Sequence, residues 1–218
     1  MAANSLTRKL SWGIGMTQGQ QIFLLSPAYC GGRRATFLLR PGSQLLLAER
    51  LVGGTLTLGE AFAFMSGLYF RGKLAYSQKF GHQIHVITPT RGLQPPHSLV
   101  TGELLREFAA VDVKLNDERY RKPLDRDLGH LRRTLPPDTR LVLLGSIATG
   151  KYVDALTAVF GNRLHYPSAF VGRGDMSRGG LLLRSVASGD ELDYTPLDPR
   201  VSRHGTRPPK LAPMPRLT

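Results

Sequence analysis

The chain has 218 residues, 41% of them hydrophobic, which is enough to form one buried α/β core and excludes a mainly disordered protein. Lys and Arg number 29 against 16 Asp and Glu, and the resulting net charge of +13 favours polyanionic partners such as nucleic acid or nucleotides. The single cysteine, Cys30, excludes an internal disulfide and a cysteine-based zinc cluster, and it indicates a cytoplasmic protein. No run of 18 apolar residues is present, so we expect no membrane partner.

The positive charge is unevenly distributed along the chain. Residues 1–102 contain ten basic residues and two acidic ones, and residues 199–218 contain five basic residues and no acidic one. We expect a mobile lead-in over 1–20, a single α/β domain over 21–198 and an extended, Pro- and Arg-rich basic tail over 199–218. The tail either contacts phosphates or packs across the sheet edge as a strap, with Leu211 among its apolar anchors.

Short apolar runs at 22–25, 84–88 and 141–144 predict buried strands, and the last has the continuous apolar character of a central parallel strand. Segments with helical spacing separate them. This alternation predicts an α/β fold with an open, mainly parallel sheet and helices on both faces. Two further apolar runs, 181–186 and 192–197, are joined by a short polar turn and predict a C-terminal β-hairpin.

Four polar loops follow predicted strands, at 26–34, 88–96, 145–151 and 167–180. Because ligands of open α/β sheets bind beyond the carboxyl ends of the strands, we expect these loops to line one edge. The last loop combines several glycines with Arg and Ser side chains. Glycine allows the backbone to approach a ligand closely, and Arg and Ser bind phosphate oxygens.

The candidate site residues belong to these four loops. Phosphate binding is predicted for the following basic and hydroxyl side chains: Arg33, Arg34, Arg91, Ser146, Thr149, Lys151, Arg173, Ser177 and Arg178. Catalytic roles are predicted for Asp175, Ser168 and Tyr29. Asp175 is the only acidic residue in the four loops, so it is the candidate general base, and Tyr29 offers a ring on which a nucleobase can stack.

The segment from Gly145 to Lys151 has the spacing of a phosphate-binding P-loop and lies between a predicted strand and a predicted helix. Tyr152 stands where Ser or Thr would hold magnesium, so the sequence predicts an anion site at a helix start rather than a nucleoside-triphosphate hydrolase. The histidines lack carboxylates at metal spacing, and we expect neither a metal nor a cofactor. Cys30 is an alternative nucleophile, although a lone cysteine after a strand is more often buried and inert.

Two motifs resemble those of the uracil-DNA-glycosylase-like superfamily, in which a Pro-Tyr loop follows an early strand and a His-Pro-Ser loop comes late. They are Ser26-Pro-Ala-Tyr29 and Tyr166-Pro-Ser168. The first lacks the water-activating Asp of that superfamily, and Tyr166 replaces its His. The resemblance implies an α/β enzyme that acts on N-glycosidic bonds in nucleic acid.

Two other resemblances accompany this one. The chain as a whole resembles a group of bacterial α/β proteins of uncharacterised function. The segments Leu25-Ser-Pro-Ala28 and Met65-Ser-Gly-Leu-Tyr69 resemble a bacterial peroxide-stress DNA-binding family. We therefore expect an enzyme directed at a nucleotide or nucleic acid, and a hydrolase of N-glycosidic bonds in particular. The alternatives are a non-catalytic nucleic-acid-binding protein and a nucleotide-binding regulator with a degenerate P-loop.

Overall fold

A computed structural model describes residues 21–148, 150–197, 205–206, 208–209 and 211. The lead-in predicted for the first twenty residues and the basic residues of the tail lie outside the described residues. Six strands form one sheet: β1 (Gln21–Leu25), β2 (Gln83–Ile87), β3 (Leu93–Gln94), β4 (Arg140–Leu144), β5 (Leu164–Pro167) and β6 (Tyr194–Pro196). The described helices are α1 (Arg33–Leu39), α2 (Leu46–Val52), α3 (Leu58–Ser66), α4 (Leu68–Phe80), α5 (Gly102–Ala109), α6 (Glu118–Thr134), α7 (Gly150–Phe160) and α8 (Asp175–Ser188).

The strand order across the sheet is β3-β2-β1-β4-β5-β6. The four inner strands are parallel, and β3 and β6 pair antiparallel at the two edges. The predicted α/β fold with a mainly parallel sheet is therefore confirmed. β4, the continuous apolar run, lies between β1 and β5, and its residues 141–144 are completely buried.

Helices cover both faces of the sheet because the inner strands are apolar on both sides. In β1, Phe23 and Leu25 pack with α3, α4 and α8, whereas Ile22 and Leu24 pack with α6 and α7 on the opposite face. Successive side chains of a strand point to opposite faces, so one five-residue strand contributes to two separate cores.

The β-hairpin predicted near the C-terminus is wrong. Residues 181–186 belong to α8, and only the second half of the predicted hairpin is a strand, β6, which pairs with β5. Gly179 and Gly180 were predicted to end a polar loop, with a strand after them. They lie instead within α8, at the place where this helix crosses α4 closely. A Cβ on Gly179 would lie 2.7 Å from the Leu68 carbonyl oxygen, and one on Gly72 would lie 2.7 Å from the Gly179 carbonyl oxygen. The glycines here allow two helix backbones to touch, instead of forming a loop.

The described part of the tail packs against the segment that leads into α8. Arg173 donates from Nη1 to the Pro209 carbonyl oxygen at 3.5 Å. A Cβ on Gly205 would lie 2.6 Å from Val171 Cγ1, and Leu211 Cδ1 lies 3.7 Å from the position of a Cβ on Gly180. At these positions the tail contacts α8 and the loop before it.

Within the described residues, no helix combines the length and the apolar composition needed to cross a membrane.

Candidate functional site

The chain changes direction across the sheet between β1 and β4. The connection after β1 leads to β2 on one side, and the connection after β4 leads to β5 on the other side. Such a switch point leaves a crevice beyond the carboxyl ends of the two strands. The Ser26 N–H continues the ladder by donating to the Leu144 carbonyl oxygen at 3.2 Å. A Cβ on Gly145 would lie 3.0 Å from Ser26 Cβ, so this glycine lets the two strand ends meet.

A cavity of about 540 Å³ opens at this crevice. Its volume lies in the range typical of small-molecule sites, roughly 300–1,000 Å³. Three separate parts of the chain form its wall: the loop after β1 with the start of α1, the loop after β4, and the first turn of α8. The α3–α4 turn and the start of α7 complete it. The predicted site residues on this wall are Tyr29, Arg33, Arg34, Ser146 and Asp175.

The loop after β2 also lies at this edge. A neighbouring cavity of about 270 Å³ is lined by Pro89 from that loop and by Lys151 at the start of α7. It shares residues 27–29 and Tyr152 with the larger cavity. The structure thus brings parts of all four predicted loops to one edge of the sheet.

Five other predicted residues form bonds within the protein and are not among the described residues that line the larger cavity: Arg91, Ser168, Arg173, Ser177 and Arg178. The Ser168 hydroxyl donates to the Asp193 carbonyl oxygen at 3.3 Å, because residues 168–170 form a short 3₁₀ turn beside β6. Arg91 forms an ion pair with Glu107 at 2.6 Å. Thr149 lies outside the described residues.

The segment before α8 is also internally bonded. Arg173 donates from Nε to the Ala169 carbonyl oxygen at 3.0 Å and from Nη1 to Ser177 Oγ at 3.1 Å. Arg178 is buried, and its Nε lies 3.3 Å from the Phe170 carbonyl oxygen. These three predicted phosphate ligands therefore hold the start of α8 in place.

Tyr29 is 73% exposed although it lies in the wall of a cavity. Its ring lies over the backbone of Gly31 and Gly32, where a Cβ on Gly31 would come 2.5 Å from the Tyr29 hydroxyl oxygen. The Tyr29 ring can lie here because Gly31 has no side chain that would collide with it. An exposed ring supported in this way is suited to stacking against a planar ligand.

Arg33 and Arg34 make the mouth of the cavity positive. Both are exposed in the first turn of α1, and among the described residues no carboxylate pairs with either of them. Arg34 donates from Nη1 to the Phe64 carbonyl oxygen at 3.4 Å, which directs it over the α3–α4 turn. Exposed guanidinium groups without an acidic partner are chemically suited to binding phosphate.

Asp175 is the only acidic residue among those described in the cavity wall. It lies in the first turn of α8, where the helix dipole favours a negative charge. Its side chain is 68% exposed, and Arg178 approaches its Oδ1 from below at 3.4 Å. The contact orients the carboxylate, and the group remains open to a ligand and to water.

Lys73 was not predicted as a site residue, yet it lies directly beneath the cavity. It projects from α4, is 1% exposed, and donates from Nζ to the Ser26 carbonyl oxygen at 2.6 Å and to Ser26 Oγ at 2.9 Å. Burial lowers the pKa of Lys73 to about 7, and two nearby charges have smaller effects: Asp175 raises this pKa and Arg178 lowers it. One signal in the sequence could have indicated that Lys73 is buried. It lies four residues after Tyr69 and three before Tyr76, which places it on the apolar face of α4.

The P-loop pattern has a packing explanation in the structure. A Cβ on Gly145 would lie 3.2 Å from the Tyr152 ring, and Tyr152 is buried in the wall of the cavity. Burial raises the pKa of Tyr152, and hydrogen bonds with Ser26 and the Ser146 backbone oppose that rise. Lys151 faces the smaller cavity instead. Gly145 and Tyr152 thus shape the crevice beside Ser26.

The structure gives no support to Cys30 as a nucleophile. The thiol is buried against the Ala28 carbonyl oxygen at 3.7 Å, and burial raises its pKa to about 12. A thiol with so high a pKa supplies almost no thiolate at neutral pH. Among the described residues, no three His, Cys, Asp or Glu side chains come together at a distance suited to a metal ion.

Comparisons of this chain with protein-family models, with curated proteins and with solved structures find no match. The interpretation of the cavity therefore depends on its own geometry and chemistry.

Proposed function

We propose that the cavity at the switch point binds a nucleotide, free or within nucleic acid, and that the protein hydrolyses its N-glycosidic bond. One observation carries the proposal. A single carboxylate, Asp175, lines the same cavity as an exposed aromatic ring, Tyr29, and two arginines without acidic partners, Arg33 and Arg34. These are the groups that a sugar, a nucleobase and a phosphate require.

Each group has a distinct task in this reaction. Cleavage of an N-glycosidic bond develops positive charge on the sugar, as in other glycosidic hydrolysis. The Asp175 carboxylate stabilises that charge and positions the attacking water. Tyr29 stacks on the base, and Arg33 and Arg34 hold the phosphate. The position of Asp175 on a long helix, above the buried Arg178, fixes the carboxylate relative to the other groups.

The overall charge supports a polyanionic substrate. The chain has a net charge of +13, and the described cavity wall contains two arginines and one acid. Such a field attracts anionic substrates to the cavity mouth. The single buried thiol of Cys30 suits a reducing compartment, and we propose that the protein works in the cytoplasm.

Removal of both arginines tests the phosphate site. The double variant Arg33→Ala/Arg34→Ala should bind a single-stranded oligonucleotide more weakly, and the slope of log affinity against log salt should become shallower by up to about 1.4, since each phosphate contributes about 0.7. Both side chains are exposed, so the melting temperature should not change. Fluorescence anisotropy at several salt concentrations measures both the affinity and the slope.

The matched control is Arg132→Ala/Arg133→Ala, an adjacent pair of exposed arginines in the last turn of α6. It changes the net charge by the same amount at a different place. If the two double variants lose affinity and slope equally, binding depends on total charge, and the cavity is not the phosphate site.

A second candidate is a nucleic-acid-binding protein without catalysis. A groove of about 710 Å³ continues from the cavity, shares Arg34 and Ser66 with it, and adds Arg71 and the exposed Met176. A basic groove with exposed apolar side chains suits a single strand, whose bases can stack on it. In this candidate function the same surface binds nucleic acid, and Asp175 takes part in no reaction. The third alternative, a regulator with a degenerate P-loop, gains no support because Lys151 faces away from the larger cavity.

A further inference from the structure

Ser26 and Lys73 form a buried polar pair at the base of the cavity. Ser26 is the first residue after β1, is 5% exposed, and lies in the cavity wall. Lys73 reaches it from α4 with Nζ 2.9 Å from Ser26 Oγ, and it is not among the described residues that line the cavity. The lysine has no route to a ligand except through the serine, so any chemistry of Lys73 acts through Ser26.

The surroundings of Lys73 can accommodate both of its charge states. The ammonium is stabilised by the Ser26 carbonyl oxygen at 2.6 Å and by the rings of Tyr69 and Phe70, whose centroids lie 4.5 and 4.7 Å from Nζ. Complete burial favours the neutral amine and lowers the pKa of Lys73 to about 7.

Other ionisable groups also face this pair. They are Asp175 and Arg178 from α8, Tyr152 from α7, and Tyr69 on the same helix as Lys73. Asp175 raises the pKa of Lys73 and Arg178 lowers it. Since both charge states are populated near neutral pH, Lys73 can exchange a proton there, as proton-transfer catalysis requires.

We infer that the Ser26 hydroxyl is an activated group of the cavity and that Lys73 accepts its proton. A serine hydroxyl is a weak nucleophile until an adjacent base takes its proton, and lysine serves as that base in Ser–Lys enzymes. This inference concerns the reactivity of Ser26 and stands without a nucleotide.

Its part in N-glycosidic hydrolysis rests on the proposed function. There, a water oxygen bonds to the anomeric carbon as the carbon–nitrogen bond breaks, and the base leaves with the electron pair. The water proton passes to Ser26, whose own proton passes to Lys73. The ammonium returns its proton to solvent after the products leave, and the pair is restored.

The experiment uses diisopropyl fluorophosphate, a small reagent that phosphorylates activated serines. Ser26 Oγ bonds to phosphorus, fluoride leaves with the electron pair of the phosphorus–fluorine bond, and Lys73 takes the hydroxyl proton. Mass spectrometry of the intact protein and its peptides should find one label, on Ser26. The labelling rate should rise with pH through a midpoint near 7 and then level off, because only neutral Lys73 can accept the proton.

Variants separate the chemical role of Lys73 from a structural one. Lys73→Arg retains a cation that stays protonated at every working pH, and Lys73→Met removes the base. Both should slow labelling by at least about 100-fold and remove the midpoint near pH 7. Ser26→Ala should abolish labelling. Ser188→Ala, which removes an exposed serine hydroxyl at the far end of α8, should leave it unchanged.

Any one of three results overturns the inference: an unlabelled Ser26 in the parent protein, labelling that does not depend on pH, or labelling that is as fast in folded Lys73 variants as in the parent. The pH profile of the parent protein decides the question even if both lysine variants fail to fold. The reagent contains no nucleotide, so the result is independent of the proposed function. Labelled Ser26 in a protein that cleaves no nucleotide supports the pair and contradicts the proposed reaction.

Discussion

Asp175→Asn should lower the rate of N-glycosidic hydrolysis by at least about 100-fold, the usual scale for loss of a general base or of a group that stabilises transition-state charge. The amide has nearly the shape of the carboxylate, but it carries no negative charge to stabilise the sugar or to position the attacking water. Affinity for nucleic acid should stay the same or rise, because a negative charge beside the phosphate site is removed. Chromatography of bases released from nucleoside monophosphates and single-stranded oligonucleotides measures the rate.

Asp190→Asn is the matched control, because Asp190 is an exposed acid just beyond the other end of α8. It removes the same charge and should leave the rate unchanged. Equal rates for the parent protein and Asp175→Asn would remove Asp175 from the mechanism. If the parent protein releases no base from any of these substrates, and Asp175→Asn binds nucleic acid as the parent does, the non-catalytic alternative is favoured.

Gly179→Ala should destabilise the protein by about 1–3 kcal/mol, because the added methyl group overpacks the crossing of α4 and α8. The new Cβ would lie 2.7 Å from the Leu68 carbonyl oxygen and 2.8 Å from Tyr69 Cα. These are backbone atoms, which cannot move aside without shifting a whole helix. For a domain of this size, each kcal/mol lowers the melting temperature by about 2–4 °C. Thermal unfolding followed by circular dichroism measures the change.

The neighbouring glycine provides the control. A Cβ on Gly180 would approach only the end of the Arg184 side chain, at 3.3 Å, and Leu211 Cδ1, at 3.7 Å. Gly180→Ala should therefore stabilise α8 by up to about 1 kcal/mol, through the higher helix propensity of alanine. Opposite shifts in melting temperature at adjacent positions would establish the close crossing. A Gly179→Ala variant as stable as the parent would show that the two backbones are further apart.

The sequence predicted the fold well where one physical signal dominated. The apolar runs of β1 and β4 have no amphipathic period, and strands buried on both faces require none. The hairpin prediction failed because Gly179 was assigned to a loop that precedes a strand. Glycine is common in turns, but it also occurs where two helices pack closely. Only the position of α4, which comes from a distant part of the chain, shows that Gly179 belongs to such a helix contact.

The candidate site was predictable to the extent that loop position determines it. Tyr29, Arg33, Arg34, Ser146 and Asp175 follow strands and reach one cavity, as the rule for parallel sheets leads one to expect. The sequence could not show which polar side chains are engaged within the protein. Arg91 pairs with Glu107, and the Ser168 hydroxyl binds a backbone carbonyl, because of tertiary contacts that leave no local signal.

The sequence also did not show that Lys73 is buried. A lysine within a helix that also carries Arg71 and Lys79 is ordinarily solvated, and most lysines are exposed. Its burial depends on the end of β1 lying beside it, where Ser26 supplies two acceptors. This arrangement exists only after the sheet has formed.

We propose that a nucleotide binds in the cavity between the ends of β1 and β4. A crystal structure with a C-nucleoside 5′-monophosphate tests it most directly, because the carbon–carbon bond of this ligand cannot be hydrolysed. We expect the base against the Tyr29 ring, the phosphate in hydrogen-bonding contact with Arg33 or Arg34, and the anomeric carbon facing Asp175. An empty cavity at saturating ligand, or a nucleotide bound instead beside Lys151, would contradict it.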